Sequence, residues 1–330
     1  MIKKRIAGLD TLRGLGVLIV VLVHAGFSEP ALRSTLLFVI PLFYIAAGCV
    51  YNDTLSLPAL IKNKFRRLII PYIFYLAAGF IIYFVGNCLL LGQPFNFQLF
   101  DILSTDRMFI PYIASLWFFE SIFWCYLLFG ILKKLTRNDL QLGIGALVIG
   151  ISGCVLSKVA VLPMSFDTSM TWLPLFYIGN MLPKYPLGEK ILQGEYWLPA
   201  TIAVVGCCFI YKHFGFNTGY CFNMFVGNIP VILLLTLGAT IGITIVCCKL
   251  GKVPFLSYFG RNSLPIFAGH QIVVVAVHQS LIHLGIELDS ALLHWTLFLT
   301  SLLGSIAIGL LLRRYAPALI GEHPQPSKLK

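Results

Sequence analysis

"LDTLRGLGVLIVVLVHAGF", residues 9–27, reads as a membrane-spanning helix that carries two ionisable groups, Arg13 near its start and His24 well inside it. A charged side chain at the centre of a bilayer costs roughly 2.5–3.5 kcal/mol on insertion scales. Such residues face a bundle interior or a wet cavity, not lipid. The segment shares a basic start and an apolar run with secretory signals. Arg13 interrupts that run, however, and no clear small-x-small cleavage site follows. It is read as the first of many spans.

The rest of the chain agrees. Of 330 residues, 58% are hydrophobic and 11% charged, and the mean hydropathy is +0.88. A soluble domain carries about 25% charged residues. Apolar runs bounded by charge or turn residues predict ten helices, at 14–28, 36–51, 68–90, 115–132, 140–158, 170–182, 197–213, 228–248, 263–284 and 291–312. The expected fold is all-α: one polytopic transmembrane domain over residues 1–330, with no soluble domain and no internal repeat. The first, second and sixth runs are short for a core that needs about 20 residues to cross.

Charge sets the orientation. With the N-terminus inside, all of the 24 Lys and Arg residues except Arg33, Arg107, Lys158 and Lys212 fall in inner segments, as the positive-inside rule requires. Both termini are then cytoplasmic. Orientation and attraction to anionic lipid account for the net charge of +11, so no nucleic-acid partner is expected. The nine cysteines lie mostly in apolar runs and form no CxxC; neither a disulfide framework nor a metal site is expected. The longest outer loop, 92–115, holds Phe95, Phe97, Phe100, Phe109 and Tyr112. It reads as an aromatic belt segment or as a cover over a substrate.

Arg13 and His24 are 11 residues apart. On a helix they differ by about 20° in direction and lie about 16 Å apart along the axis, so they share a face. Arg offers a fixed fork of donors for phosphate. Neutral His accepts a proton from a hydroxyl near pH 7. The competing reading is an Arg that snorkels to the interface and a His bonded between helices.

Further motifs follow in order: "FVIPLFYIAAGCVY" (38–51), "KNKFRRLIIPY" (62–72), "SLWFFE" (115–120), "WLPLFYIGNML" (172–182) and "SYFGRNSLPIFAGHQ" (257–271). This succession resembles the membrane-bound acyltransferase-3 superfamily, and within it the fucose 4-O-acetylase-like branch. The family's first helix carries an Arg, ten residues and a His, matched by Arg13 and His24. Its Pro-Leu-Phe-Phe-x-x-Ser-Gly is matched from Pro41 to Gly48, with Ala47 in place of the serine. Its basic cluster before a proline is matched by Lys64, Arg66, Arg67 and Pro71, at a different spacing to the proline. Its Gly-x-x-Ser-Leu-x-x-Phe-x-x-His is matched by Gly260, Ser263, Leu264, Phe267 and His270.

The resemblance implies transfer of an acetyl group from cytosolic acetyl-CoA to a hydroxyl, usually on a carbohydrate or lipid-linked sugar of the cell envelope, in a bacterial cytoplasmic membrane. The residues suit that chemistry. Lys64, Arg66, Arg67, Arg13 and Arg261 are expected to neutralise CoA phosphates. Positive-inside topology is the other account of the basic cluster. Asn262 is a candidate N-cap for the ninth helix, whose first N–H groups attract anions, and Ser263 opens that helix. His24 is the expected general base. His270 is expected to hold the thioester oxygen or the acceptor, or to make a helix-to-helix contact. Glu120, inside an apolar run, needs a partner or a proton and is a candidate to orient the acceptor. Trp117 offers an aromatic face to a sugar, or packs in the bundle. A transporter or flippase for a small solute or lipid-linked sugar is the rival function, and a non-catalytic envelope partner the second. The missing repeat argues against a transporter.

Overall fold

The computed structural model describes residues 6–90, 92, 94 and 111–322. The aromatic outer loop lies mostly outside these residues, as do Lys3, Lys4, Arg5, Arg107, Lys328 and Lys330 of the charge distribution. The fold is all-α, a bundle of long apolar helices with one small hairpin, β1 (Asn217–Gly219) against β2 (Met224–Val226).

Every predicted apolar run is helical, and the ends show where packing overrides composition. The first helix, α1 (Ala7–His24), starts two turns earlier than its apolar run. Asp10 and Arg13 look like a boundary in sequence. They stay helical because α12 (Pro254–Arg261) packs directly along this turn. A Cβ on Gly14 would overlap the Leu256 carbonyl, and one on Gly260 the Asp10 carbonyl, so both contacts require glycine. The Thr11 hydroxyl donates to the Gly251 carbonyl at 2.6 Å and secures the same crossing. The helix ends at His24, and Gly26 turns the chain at φ +99°.

The second run is two helices, α2 (Pro30–Val39) and α3 (Pro41–Cys49). Pro41 has no N–H for the turn before it, which breaks the ladder there. The third begins at Leu57 as α4 (Leu57–Lys64). It passes through a π-helical turn, Phe65–Ile69, and continues as α5 (Ile70–Tyr83). The wide turn sits just ahead of Pro71, which again lacks a donor. Then follow α6 (Trp117–Leu135), α7 (Asp139–Leu156) and α8 (Phe166–Met181). Next come α9 (Pro186–Gln193), α10 (Trp197–His213), α11 (Ile229–Leu250), α13 (Ser263–His283) and α14 (Ser290–Tyr315).

Eight of the described helical segments are long and apolar enough to cross a membrane. A ninth is formed by α9 and α10 if that pair, bent by 81°, is one span. The sixth predicted run falls in α8, which has 16 residues and runs about 24 Å. It is packed between α3, α6 and α7. Gly48 of α3 lies against the Phe176 carbonyl of α8, a contact with no room for a Cβ.

The basic segments gather at one end of the bundle. There Asp53 pairs with Lys133 and Lys184, Tyr185 donates to Asp139 at 2.9 Å, and Gly321 packs on the Arg67 backbone. At the other end lie His24, the β1–β2 hairpin and the start of α14, where Gly26 meets His294.

Candidate active site

Two connected cavities run into the bundle from its basic end. The outer one, about 830 Å³, is lined by Asp10, Arg13, Arg67, Arg261, Ser263 and Glu322, among others. The inner one, about 340 Å³, shares Arg13, Val50, Arg67, Ser263 and Leu264 with it. Lys64 and Tyr126 line the inner cavity as well, and it ends at Phe43, Phe118, Phe119 and Phe267. Tyr126 and Phe118 are two turns apart on α6, so this cavity extends roughly 12 Å along that helix.

Its cations come from three elements. Arg13 of α1 donates through Nη2 to the Ala46 carbonyl at 3.0 Å, which fixes the guanidinium against α3. Arg67 comes from the π-helical turn. Lys64 Nζ sits 3.4 Å from the centre of the Tyr126 ring, a cation–π contact. The charges of Arg13 and Arg67 both bear on Lys64. Like charges this close destabilise one another, and an anion placed among them relieves that repulsion. Arg13 and Arg67 thus line both cavities, and Lys64 lines the inner one.

Beyond Phe267 stand the two imidazoles. His270 Nε2 and His24 Nδ1 are 3.0 Å apart, joining residues 246 positions apart in the chain. His270 Nδ1 lies 2.8 Å from the Phe267 carbonyl and 3.1 Å from the Ile266 carbonyl. A carbonyl only accepts, so His270 Nδ1 carries the proton. With both rings neutral, His270 Nε2 is then an acceptor and His24 Nδ1 donates to it. The Val20 carbonyl also accepts from the His24 ring; with the proton on Nδ1, the lone pair is on Nε2. The tautomers follow from the partners alone. His270 is fully buried, whereas His24 keeps an exposed face at the end of α1. The helix rise puts His24 about 26 Å from Ala7, near the far side of a core about 30 Å thick.

Several sequence-predicted residues stand apart from this axis. Arg66 lines neither cavity. It precedes Arg67 on the wide turn, and its Nη2 is buried with no hydrogen-bond partner among the described residues. Asn262 precedes α13, but its side chain does not cap that helix. Instead its Nδ2 donates to the Tyr258 carbonyl at 2.8 Å and its Oδ1 accepts from Arg313 at 3.0 Å. The expected capping role is corrected accordingly: the preceding turn belongs to α12, and its Tyr258 carbonyl takes both the Asn262 backbone N–H and its side-chain amide. Glu120 is buried and accepts from Ser165 at 3.2 Å, with the Tyr72 hydroxyl also bonded to it. Ser165 holds φ +54°, an uncommon conformation for a non-glycine residue. Trp117 is half-buried and meets Phe118 edge to face at 5.9 Å. Neither Glu120 nor Trp117 lines the two cavities.

Sequence reading missed four contributors. Tyr126 lies beneath Lys64. Gln271 accepts the Ser115 N–H at 2.6 Å, beside His270. Glu322 is held by Arg313 at 2.7 Å at the cavity mouth. The fourth is the aromatic end wall. Only Phe267 had a local signal, since it is three residues before His270 and therefore on the same face.

A family model described as an acyltransferase domain, that of the acyltransferase-3 family, matches residues 6–314. No curated protein and no solved structure matches the chain.

Proposed function

The chain belongs to the acyltransferase-3 family and is a multi-pass membrane acyltransferase; within that frame we propose that it carries an acetyl group from cytosolic acetyl-CoA to a hydroxyl of an envelope carbohydrate or lipid-linked sugar. On motif order we assign it to the fucose 4-O-acetylase-like branch. The membrane is proposed to be the bacterial cytoplasmic membrane, with the basic end and both termini facing the cytoplasm. The observation that carries this reading is the single axis from Arg13, Lys64 and Arg67 to the His24–His270 pair. It offers a polyanion site at one end and a free base at the other.

In this mechanism the outer cavity takes the nucleotide end of the donor, with Arg261 beside it. Arg13, Lys64 and Arg67 hold the phosphates, and the pantetheine arm follows the inner cavity toward Phe267. The acceptor approaches His24 from the opposite end. His24 Nε2 removes the proton of the acceptor hydroxyl as its oxygen adds to the thioester carbonyl. The tetrahedral intermediate expels the sulfur, the C–S bond breaks, and the imidazolium returns the proton to the departing thiolate. The products are the acyl ester and free CoA. His270 positions His24 and stabilises its charged form, because the bond from Nδ1–H becomes charge-assisted once the ring is protonated.

Donor binding tests the cationic end. Hydrogen bonds to charged groups contribute about 1.5–3 kcal/mol, or roughly 10- to 150-fold in affinity. Arg13→Ala is expected to weaken acetyl-CoA binding to the purified protein within that range. Arg13→Lys should recover only part, since it keeps charge without the planar fork. His24→Ala should leave the affinity within about threefold, because a base that engages the donor sulfur only as it departs contributes little to ground-state donor binding. Undiminished binding by folded Arg13→Ala would remove the assignment.

A further inference from the structure

The inner cavity ends on a wall of four rings from three helices: Phe43 of α3, Phe118 and Phe119 of α6, and Phe267 of α13. The rings touch one another. Phe118 lies 5.0 Å from Phe267 and 5.5 Å from Phe43, and Phe43 lies 6.1 Å from Phe267. All four are buried. Phe267 in turn meets the His270 ring at 5.9 Å. The wall thus closes the inner end of the cavity, and Phe267 joins it to the imidazole pair. It is stiff, because each ring is fixed by at least one other and Phe118 is backed by Tyr44 at 5.6 Å.

We propose that Phe43, Phe118 and Phe267 select the acyl group, admitting a short uncharged one and rejecting both longer chains and acyl groups with a distal carboxylate. The proposal rests on the acyl-CoA reading above. A donor anchored by its phosphates among Arg13, Lys64 and Arg67 presents its acyl end to this wall, so each added methylene pushes against packed rings. Overfilling a well-packed site forces side chains off their preferred rotamers and is unfavourable. A succinyl carboxylate extends away from the thioester in the direction opposite to the phosphates, and so away from the three cations. It would be buried against aromatic carbon without a partner, which is more costly still.

The test is the affinity of purified full-length protein for CoA, acetyl-CoA, hexanoyl-CoA and succinyl-CoA, each expressed relative to CoA. Acetyl-CoA should bind at least as well as CoA, and hexanoyl- and succinyl-CoA at least tenfold more weakly than acetyl-CoA. In Phe118→Ala the hexanoyl penalty, taken relative to CoA binding by the same variant, should fall to threefold or less. Phe43→Leu, a milder change, should move the ratio the same way and serves if Phe118→Ala does not fold. Equal binding of succinyl- and acetyl-CoA by the wild type would overturn the proposal. So would a hexanoyl penalty unaltered in both variants. If CoA itself does not bind, the donor assignment fails, and the selection proposal fails with it.

Discussion

His24→Gln is expected to fold, bind acetyl-CoA with near wild-type affinity, and lose acyl transfer by 10²–10⁴-fold, the usual range for loss of a general base. Glutamine is close to histidine in size and its amide hydrogen-bonds, so a purely structural His24 would tolerate it. An amide does not take up a proton near neutral pH. The geometry sharpens this expectation. His24 Nδ1 is committed to His270, and only Nε2 is free to act. His24→Asn should behave similarly. A rate above about a tenth of wild type, measured as CoA release with acceptor present, contradicts the base assignment, because it lies outside the expected range.

The second large effect falls on His270. Its replacement by Leu removes one acceptor of the His24 ring and leaves the Val20 carbonyl alone to hold it, which loosens the imidazole. Misplacement of a reacting group by about 1 Å can cost 10²-fold, so His270→Leu is expected to lose roughly that much in kcat. Donor affinity should be unchanged. His270→Gln retains an oxygen that can accept from His24 and should recover part of the rate. A merely structural role would not be rescued in this graded way, and would appear in thermal stability instead. A loss at His270→Gln as large as that at His24→Gln would indicate that the base is His270. That outcome would reverse the direction of the proton relay.

Much of the axis was legible in the chain. Arg13 and His24 share a helix face by simple periodicity, and the structure places Arg13 in the cavity and His24 against His270. The meeting of the two imidazoles was not legible, since nothing local links positions 246 apart. Nor was the difference between Arg66 and Arg67. A π-helical turn changes the register by which faces are counted, and Arg67 lines both cavities while Arg66 lines neither.

The fold shows the same division. Long apolar runs report themselves, because a bilayer demands about 20 such residues. The eight-residue helices α9 and α12 do not reach that length and carry mixed residues. Their existence depends on tertiary contact, as when α12 lies along α1 through Gly14 and Gly260. The buried carboxylate of Glu120 announced a need for a partner but not its identity. Ser165 answers it from a backbone conformation that sequence does not reveal.

In the proposed mechanism the donor enters the cationic cavity from the cytoplasmic face and His24 takes the acceptor proton. Acetyl-CoA does not cross a sealed membrane unaided, so sidedness can be read directly. Membrane vesicles carrying the protein are supplied with acetyl-CoA labelled in the acetyl group, and alkali-labile ester is counted. Inside-out vesicles, which expose the cytoplasmic face, are predicted to accumulate label. Sealed right-side-out vesicles should not, and inside-out vesicles carrying His24→Gln should remain at background. Label in right-side-out vesicles, equal label with His24→Gln, or no ester in any preparation that contains the acceptor would contradict the account.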